Sequence, residues 1–179
     1  MRNAEQEVRM IQRVAVVLVA AVAEALADQP GAPSARKIVV SIPDRMVALV
    51  ENGRVVRTYP AAVGAPATPT PPGACEVTHR IPHPTWYTRA KVVPPGKANP
   101  LGTRWIGLSL KGYGIHGTNN PNSIGRRASH GCVRLRNADV EDLFERVSLG
   151  DTVELHDRPS VELDRIFGTQ LAAVTAGAQ

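Results

Sequence analysis

The chain has few cysteines and few aromatic side chains. The first shortage limits the class of scaffold that it can form, and the second limits which side chains can fill its core. Only 2 of its 179 residues are cysteine, and aromatics make up 4% of the sequence. A disulfide-rich scaffold is therefore excluded, and Val, Ile, Leu and Ala must fill the core. Pro and Gly, by contrast, number 15 each, which favours turn-rich β structure over a helical bundle.

The sequence also lacks blocks of like charge, although it carries 21 basic and 16 acidic residues and a net charge of +5. The basic residues are scattered and are not interleaved with aromatics, so nucleic acid is not an expected partner. A net positive charge is instead suited to an anionic polymer or a membrane surface. No internal repeat is present, and the length suits one domain with a short appendage.

The longest apolar run lies near the N-terminus and is too short for a comfortable membrane span. Three arginines precede the run 14–23, and the small-x-small sequence Ala25-Leu26-Ala27 follows it. A spanning helix needs about 20 apolar residues. We therefore predict that residues 1–27 are a cleaved export signal, which leaves no stable membrane span in the mature protein. The alternative is an uncleaved anchor or an amphipathic N-terminal helix.

Short apolar runs bounded by turn residues predict a mostly β fold. Asn52-Gly53 between two such runs predicts a tight hairpin, because both residues tolerate a positive φ angle. The predicted strands cover residues 37–42, 46–50, 54–63, 75–81, 105–110, 112–116 and 152–155. Residues 64–73 and 82–102 are rich in proline, which lacks the ladder donor, and are predicted to be loops.

One segment has the spacing of an amphipathic helix. In residues 137–147 the apolar side chains recur every three or four positions, Asn137 is a predicted N-cap, and acidic residues occupy the first turn. The predicted organisation is a flexible leader over residues 28–36, one domain over 37–157 and a separate tail over 158–179 that forms a short helix at most.

The two cysteines lie in different surroundings. Cys75 occupies an apolar position of a predicted strand and is expected to be a small buried side chain rather than a redox partner. Cys132 lies in Ser129-His130-Gly131-Cys132, where Gly131 lets a reacting group approach the backbone closely. This setting predicts a reactive thiol, with the backbone N–H groups of Gly131 and Cys132 as a candidate oxyanion hole.

A nearby imidazole can accept the thiol proton and stabilise a thiolate, and two histidines are candidates for this role. His130 would share a face with Cys132 along an extended strand. His116 is flanked by glycines in Tyr113-Gly114-Ile115-His116-Gly117, which indicates a tight site. The spacing does not choose between them.

Arginines bracket Cys132, and Arg134 is the strongest candidate for binding an anionic substrate. It lies two residues past Cys132, on the same face of an extended segment, and a guanidinium can grip a carboxylate with two hydrogen bonds. The alternative is a solvated basic face. No metal or other cofactor is predicted, because no paired-ligand spacing joins the residues that could bind zinc: His116, His130 and Cys132 with His156 or His79.

The segment 115–144 resembles the core of the L,D-transpeptidase (YkuD-like) catalytic domain. That family carries a His-Gly pair upstream and a Ser/Thr-His-Gly-Cys motif downstream, here His116-Gly117 and residues 129–132. Further likeness lies in TPTPPG (68–73), NPLGTRWIGLS (99–109) and GDTVEL (150–155), so that it extends from about residue 37 to 156. Arg134 stands where some members of the family have Asn.

The resemblance implies a mostly β fold, an L,D-transpeptidase-type β-sandwich with one or two short helices. It makes His116, not His130, the base for Cys132, and the carbonyl of Gly117 the group that orients the imidazole. The candidate catalytic residues are then Cys132, His116, Gly117 and Gly131, and the candidate substrate-binding residues are Arg134, Ser129, His130 and Tyr113.

The implied substrate is peptidoglycan, whose tetrapeptide stems would act as donor and acceptor. The implied reaction is transpeptidation through a Cys thioester, in which D-Ala leaves and the third residues of two stems become cross-linked. An L,D-carboxypeptidase or a lipoprotein-anchoring enzyme on the same scaffold, and a non-catalytic wall-binding module, are the alternatives. The family also implies covalent inhibition by a carbapenem, and an exported protein in the periplasm or at the cell-wall face of the envelope.

Overall fold

The computed structural model describes residues 36–176, with side chains up to Gly168. The predicted signal over residues 1–27 and the predicted leader up to residue 35 therefore lie outside the described residues. The last residue of that leader, Arg36, is instead the first residue of a strand.

Strands dominate the described residues. The strands are β1 (Arg36–Ser41), β2 (Met46–Glu51), β3 (Arg54–Pro60), β4 (Val63–Gly64), β5 (Gly73–Pro82), β6 (Trp86–Tyr87), β7 (Val92–Val93), β8 (Arg104–Leu108), β9 (Gly114–His116), β10 (Arg127–Ser129), β11 (Val133–Arg134) and β12 (Thr152–His156). The helices are a 3-10 turn (Pro121–Ser123), α1 (Asn137–Arg146) and α2 (Val161–Ala176). The predicted mostly β fold is confirmed, although the predicted strand 54–63 divides into β3 and β4.

Eight of the strands form one curled sheet in the order β11-β9-β8-β5-β12-β1-β2-β3. A bridge between Ala62 and Arg134 joins the segment after β3 to β11, so the two ends of this order meet. The layers of the predicted β-sandwich are therefore parts of one sheet that folds over on itself. The predicted hairpin at Asn52-Gly53 is present, and both residues have a positive φ angle.

The main apolar core fills the inside of the curled sheet. Branched side chains from alternate strand positions are buried there together with Val140, Leu143 and Phe144 of α1. Cys75 belongs to this core: it is 7% exposed, is not part of a disulfide, and its thiol donates to the Val153 carbonyl at 3.6 Å. The prediction that Cys75 is a small buried side chain is confirmed.

The segment predicted as a tail forms α2, and the start of this helix packs on the sheet. Leu163 and Phe167 are buried against Val39, Ala48 and Val50, on the face of β1 and β2 that points away from the main core. Because β1 is covered on both faces, its sequence is a continuous apolar run instead of an alternating one. Within residues 36–176, no helix combines the length and the apolar character that crossing a membrane requires.

The start of α1 differs from the prediction. Arg136 occupies the N-cap position, without a side-chain cap hydrogen bond, and Asn137 is the first helical residue. The Asn137 side chain instead accepts hydrogen bonds from the backbone N–H groups of Thr103 and Thr118, at 3.3 and 3.1 Å. The pattern identified the helix but not this tertiary use of its first side chain.

The proline-rich segment 82–102 is a loop, as predicted, and it is organised around one buried asparagine. The Nδ2 group of Asn99 donates to the carbonyls of Pro84, Val93 and Pro94 at 2.8–3.2 Å. Its Oδ1 accepts from the N–H of Leu101 at 2.9 Å. The loop also contains the short antiparallel pair β6–β7, which the sequence pattern did not indicate.

Candidate active site

Two neighbouring strands bring the predicted catalytic residues together. Strand β11 pairs in parallel with β9, with Val133 opposite Ile115 and Arg134 opposite His116. Val133 and Ile115 are buried in the main core. Because side chains alternate along a strand, Arg134 and His116 lie on the other face, and Cys132, one residue before β11, lies on that face too. We call it the Cys132 face.

His116 is buried and held in one orientation. Its Nδ1 lies 2.6 Å from the carbonyl oxygen of Gly117, and the indole of Trp105 stacks on its ring. A carbonyl oxygen can only accept, so Nδ1 carries the proton and Nε2 is the basic nitrogen. Burial lowers the pKa of His116 to about 4, and the positive charge of Arg134 adds to the lowering, although backbone hydrogen bonds with Gly117 and Leu101 act in the opposite direction.

Cys132 is partly exposed, and its thiol donates to the Gly112 carbonyl at 3.7 Å. Within the part of the chain that the structure describes, no hydrogen bond joins this thiol to His116. Burial raises the pKa of the Cys132 thiol, whereas a backbone hydrogen bond from Gly114 and the charge of Arg134 lower it. Both shifts favour a neutral thiol and a neutral imidazole over a thiolate–imidazolium pair in the unliganded protein.

The turn before Cys132 depends on Gly131, whose φ angle is +110°. A Cβ atom at this position would lie 2.6 Å from the Tyr113 ring, so glycine is required for space as well as for backbone conformation. This turn breaks the extended geometry that would have put His130 and Cys132 on one face, and His130 is exposed.

Ser129 is buried and ties this turn together. Its Oγ accepts from the Gly131 N–H at 3.1 Å and donates to the Cys132 carbonyl. The Gly131 N–H is thus already engaged, which corrects the expectation that it offers a free donor to an oxyanion. Through these two hydrogen bonds, Ser129 holds the backbone of Gly131 and Cys132 in place.

Arg134 is partly buried on the Cys132 face. Burial lowers its pKa, and the neighbouring Cys132 opposes that change. None of the ion pairs found within residues 36–176 includes Arg134, whereas Arg136 pairs with Asp139 at 3.9 Å. A half-buried guanidinium without a carboxylate partner is suited to an anionic ligand.

A cavity of about 670 Å³ opens next to the turn that carries Cys132. Tyr113, His130, Arg127 and Asp157 line it together with the proline-rich segment 68–72. Two of the predicted substrate-binding residues, Tyr113 and His130, therefore lie in its wall. Ser129 and Arg134 do not line it, and neither do Cys132, His116 and Gly131, so the cavity lies beside the Cys132 face and does not include it.

The histidines that we considered as zinc ligands have other contacts. His156 Nε2 lies 3.5 Å from the Glu154 carboxylate, and His79 Nδ1 lies 2.9 Å from the Thr78 hydroxyl. Among the described residues, the close group of potential ligand atoms is formed by Glu154, His156 and Glu162. Both of its carboxylates bind the ammonium group of Lys37, at 2.9 and 2.8 Å.

Sequence reasoning missed two residues that contact the surroundings of His116. Trp105 covers its ring, and Asn137 binds the N–H of the residue after Gly117. Trp105 lies in a predicted strand and in a segment of the family resemblance, but neither assigned it a role, and Asn137 resembled an N-cap. Neither contact has a signal in the local sequence, because both join distant parts of the chain.

Comparison with known proteins identifies the family of the chain. Residues 35–155 match the family model of the L,D-transpeptidase catalytic domain, YkuD. YkuD of Bacillus licheniformis, a protein named as an L,D-transpeptidase, is 41% identical over 119 residues, which cover 66% of this chain and 64% of that protein. YqjB of Bacillus subtilis, which is named likewise, is 37% identical over 134 residues, or 72% of this chain and 73% of its own.

The chain spans just under two thirds of the length of the YkuD proteins that it matches: 64% of the protein from Bacillus licheniformis and 65% of the one from Bacillus subtilis. Among solved structures, that of the LD transpeptidase LdtMt1 in complex with imipenem is similar, with a TM-score of 0.58 and 26% identity over 69% of this chain and 59% of that one. An L,D-transpeptidase from Mycobacterium smegmatis shares the fold, with a TM-score of 0.58 and 23% identity over the same shares of the two chains. The match over residues 35–155 includes the strands that position Cys132 and His116, and the chain belongs to the L,D-transpeptidase (YkuD) family.

Proposed function

We propose that this protein is a cysteine-dependent acyltransferase that cross-links peptidoglycan stems. The Sγ atom of Cys132 attacks the carbonyl carbon of the third residue in a tetrapeptide stem, and the bond to the terminal D-Ala breaks. An amine of a second stem then attacks the thioester, which frees Cys132 and forms an amide between third residues. Membership of the family and the arrangement of the Cys132 face support this proposal.

The single observation that carries it is the joint placement of Cys132, His116 and Arg134 by the β9–β11 pair. A nucleophile, a base with its basic nitrogen unprotonated and an unpaired cation on one face are what acyl transfer from a carboxylate-bearing peptide needs. A non-catalytic wall-binding module needs none of them.

The neutral resting state indicates how the base acts. His116 accepts the thiol proton through Nε2 while the sulfur attacks, and it returns a proton to the departing amine of D-Ala. The thiol must turn from the Gly112 carbonyl towards the imidazole for this step. Such a change is ordinary, because catalytic hydrogen bonds in unliganded enzymes are often long or misaligned and tighten with substrate.

Substrate contacts follow from the surroundings of Cys132. We assign the binding of a stem carboxylate to Arg134, and a wall of the stem site to Tyr113 and His130 in the 670 Å³ cavity. Ser129 and Gly131 hold the backbone of the nucleophile. A carbapenem is the expected covalent inhibitor, a view supported by the imipenem complex of the similar LD transpeptidase LdtMt1.

We also propose that the protein works outside the cytoplasm, in the periplasm or at the cell-wall face of the envelope. The basic, apolar and small-residue pattern of residues 1–27 supports export, and the +5 net charge suits an anionic wall polymer. The proposed organisation is a leader that ends before Arg36, the first residue of β1, then a catalytic domain up to residue 157 and a C-terminal segment over 158–179.

Product analysis tests the proposal. The protein is incubated with disaccharide-tetrapeptide, and the products are read by mass spectrometry, with Cys132→Ala as the inactive variant and Cys75→Ala as the matched control. Cross-linked dimer supports the transpeptidase, whereas tripeptide monomer alone identifies an L,D-carboxypeptidase. Transfer to an added lipoprotein amine identifies an anchoring enzyme. Absence of turnover by the unaltered protein with every stem tested contradicts all three.

A further inference from the structure

The side chain of Asn137 lies at the end of a hydrogen-bonded chain that leads to His116. Its Oδ1 accepts from the Thr118 N–H at 3.1 Å, and the carbonyl of Gly117 accepts from Nδ1–H of His116 at 2.6 Å. The Thr118 N–H and the Gly117 carbonyl belong to one peptide group. Since that group is planar and trans, fixing its N–H also fixes the direction of its carbonyl.

A second contact holds the Asn137 oxygen in place. Asn137 Oδ1 also accepts a hydrogen bond from the Thr103 N–H at 3.3 Å. This one side-chain atom therefore joins the end of the 82–102 loop to the segment that follows β9. The Gly117 N–H in turn donates to the Arg104 carbonyl at 3.2 Å. The peptide groups on both sides of Gly117 are thereby fixed from outside β9.

The backbone around this oxygen leaves room for nothing larger than glycine. A Cβ atom at Gly102 or at Gly117 would lie 2.2 Å from Asn137 Oδ1. Gly102 also has a φ angle of +65°, which glycine adopts without strain. Two glycines from separate segments therefore make the close approach of this amide possible, which a side chain used as a simple helix cap would not require.

We propose that Asn137 is a positioning residue for His116, acting through the Gly117–Thr118 peptide group. This inference rests on the proposed role of His116 as the base. Asn137 holds the peptide so that its carbonyl keeps the proton on Nδ1, which leaves Nε2 unprotonated and directed for proton transfer. A hydrogen bond accepted from the N–H also polarises the peptide and makes its carbonyl a stronger acceptor.

The first test reads the imidazole without using activity. In the full-length ¹⁵N-labelled protein, the ring nitrogens of His116 are identified by their loss in His116→Gln, and their shifts report the tautomer. We expect the Nδ1–H form alone in the unaltered protein and a mixture with the Nε2–H form in Asn137→Ala. Asn137→Asp should restore the single tautomer, because a carboxylate accepts from the same two N–H groups. A single Nδ1–H tautomer in Asn137→Ala would overturn the inference.

The second test measures acylation of Cys132 by imipenem, from the time course of the adduct mass at several pH values. We expect Asn137→Ala to lower the rate constant on the order of tenfold to a hundredfold, as small misplacements of a base do. Asn137→Asp should stay within a few fold and shift the acidic limb of the pH profile to higher pH, because a nearby negative charge favours the imidazolium. Ala138→Ser, at the adjacent exposed position, is the matched control.

The two proposals fail in different ways. Cys132-dependent acylation with an unchanged rate and pH profile in Asn137→Ala overturns the positioning role and leaves the proposed function intact. A changed tautomer in Asn137→Ala, in a protein whose unaltered form turns over no peptide stem, supports the positioning role and contradicts the proposed function. If Asn137→Ala does not fold, Asn137→Ser is judged by the same outcomes, since a serine hydroxyl is too short to reach both N–H groups.

Discussion

The indole of Trp105 stacks on the imidazole of His116, with ring centroids 5.5 Å apart and an angle of 22° between the planes. Two glycines make this contact possible. A Cβ atom at Gly114 would lie 2.6 Å from the indole, and one at Gly107 would lie 2.9 Å from its Nε1. The indole therefore lies flat over the sheet and covers the ring, which contributes to the burial that keeps His116 neutral.

This burial predicts how stability depends on pH. The pKa of His116 is about 4 in the folded chain and 6.5 ordinarily, so the unfolded chain binds a proton first as the pH falls. The stability that neutral His116 contributes is complete above pH 6.5 and is lost between pH 6.5 and 4, on the order of 3 kcal/mol in the free energy of unfolding. Urea unfolding at pH 7 and pH 4 measures the loss.

The matching variants separate this effect from other acid-sensitive groups. Between pH 7 and pH 4, the free energy of unfolding of His116→Gln should fall by about 3 kcal/mol less than that of the unaltered protein. His130→Gln, at an exposed position, should show the same fall as the unaltered protein. Equal losses in all three proteins would mean that His116 titrates normally.

The turn at Gly131 predicts a difference between two glycine substitutions. Gly131 and Gly125 both have positive φ angles, +110° and +83°, so alanine at either costs about 1 kcal/mol in backbone strain. Only at Gly131 would the new Cβ also strike the Tyr113 ring, at 2.6 Å, whereas nothing lies within 4 Å at Gly125. Gly131→Ala should lower the melting temperature further than Gly125→Ala and slow acylation by imipenem. Indistinguishable variants would argue that Tyr113 moves aside freely.

The unpaired guanidinium of Arg134 predicts a binding defect. We expect Arg134→Ala to raise KM for the tetrapeptide donor by about tenfold or more, while kcat changes less, because a charge-assisted hydrogen bond to a carboxylate is lost. Steady-state release of D-Ala measures both constants. Arg136→Ala is the control, because Arg136 pairs with Asp139. An unchanged KM in Arg134→Ala would make Arg134 part of a solvated basic face.

The contact between α2 and the sheet predicts that this helix stabilises the domain. Phe167 is 1% exposed, so Phe167→Ala should lower the free energy of unfolding by about 3–5 kcal/mol. Arg165→Ala, at an exposed position two residues earlier, should have little effect. Chemical denaturation of both variants measures the difference, and equal stabilities would show that α2 is an independent appendage.

Local pattern predicted the longer elements well. The apolar runs of β1, β2, β5 and β12 and the helical spacing of α1 are features of single segments, so the sequence contains them directly. Strands of two or three residues, such as β6, β7, β10 and β11, have no measurable period. Their existence depends on pairing with a distant partner, as Val133 of β11 pairs with Ile115 of β9.

The sequence named the candidate residues Cys132, His116 and Arg134, which the β9–β11 pair brings onto one face, but it did not predict their electrostatics. The motif around Cys132 pointed to the thiol, but spacing alone could not choose between His116 and His130 as its base. The argument for His130 required an extended chain from residue 130 to 132, which the turn at Gly131 interrupts. The protonation of the pair depends on how deeply each group is buried, which only the assembled sheet decides. Asn137 shows the same limit, since its partners are 34 and 19 residues away.

The central claim is that Cys132 becomes acylated by a peptide stem. It is tested most directly by mixing the protein with disaccharide-tetrapeptide, quenching rapidly with acid and mapping the modified peptide by mass spectrometry. We predict a mass increase equal to the donor minus D-Ala on the peptide that contains Cys132, retained in Cys75→Ala and absent in Cys132→Ala. An acyl group on Cys75, or cross-linking that persists in Cys132→Ala, would contradict the account.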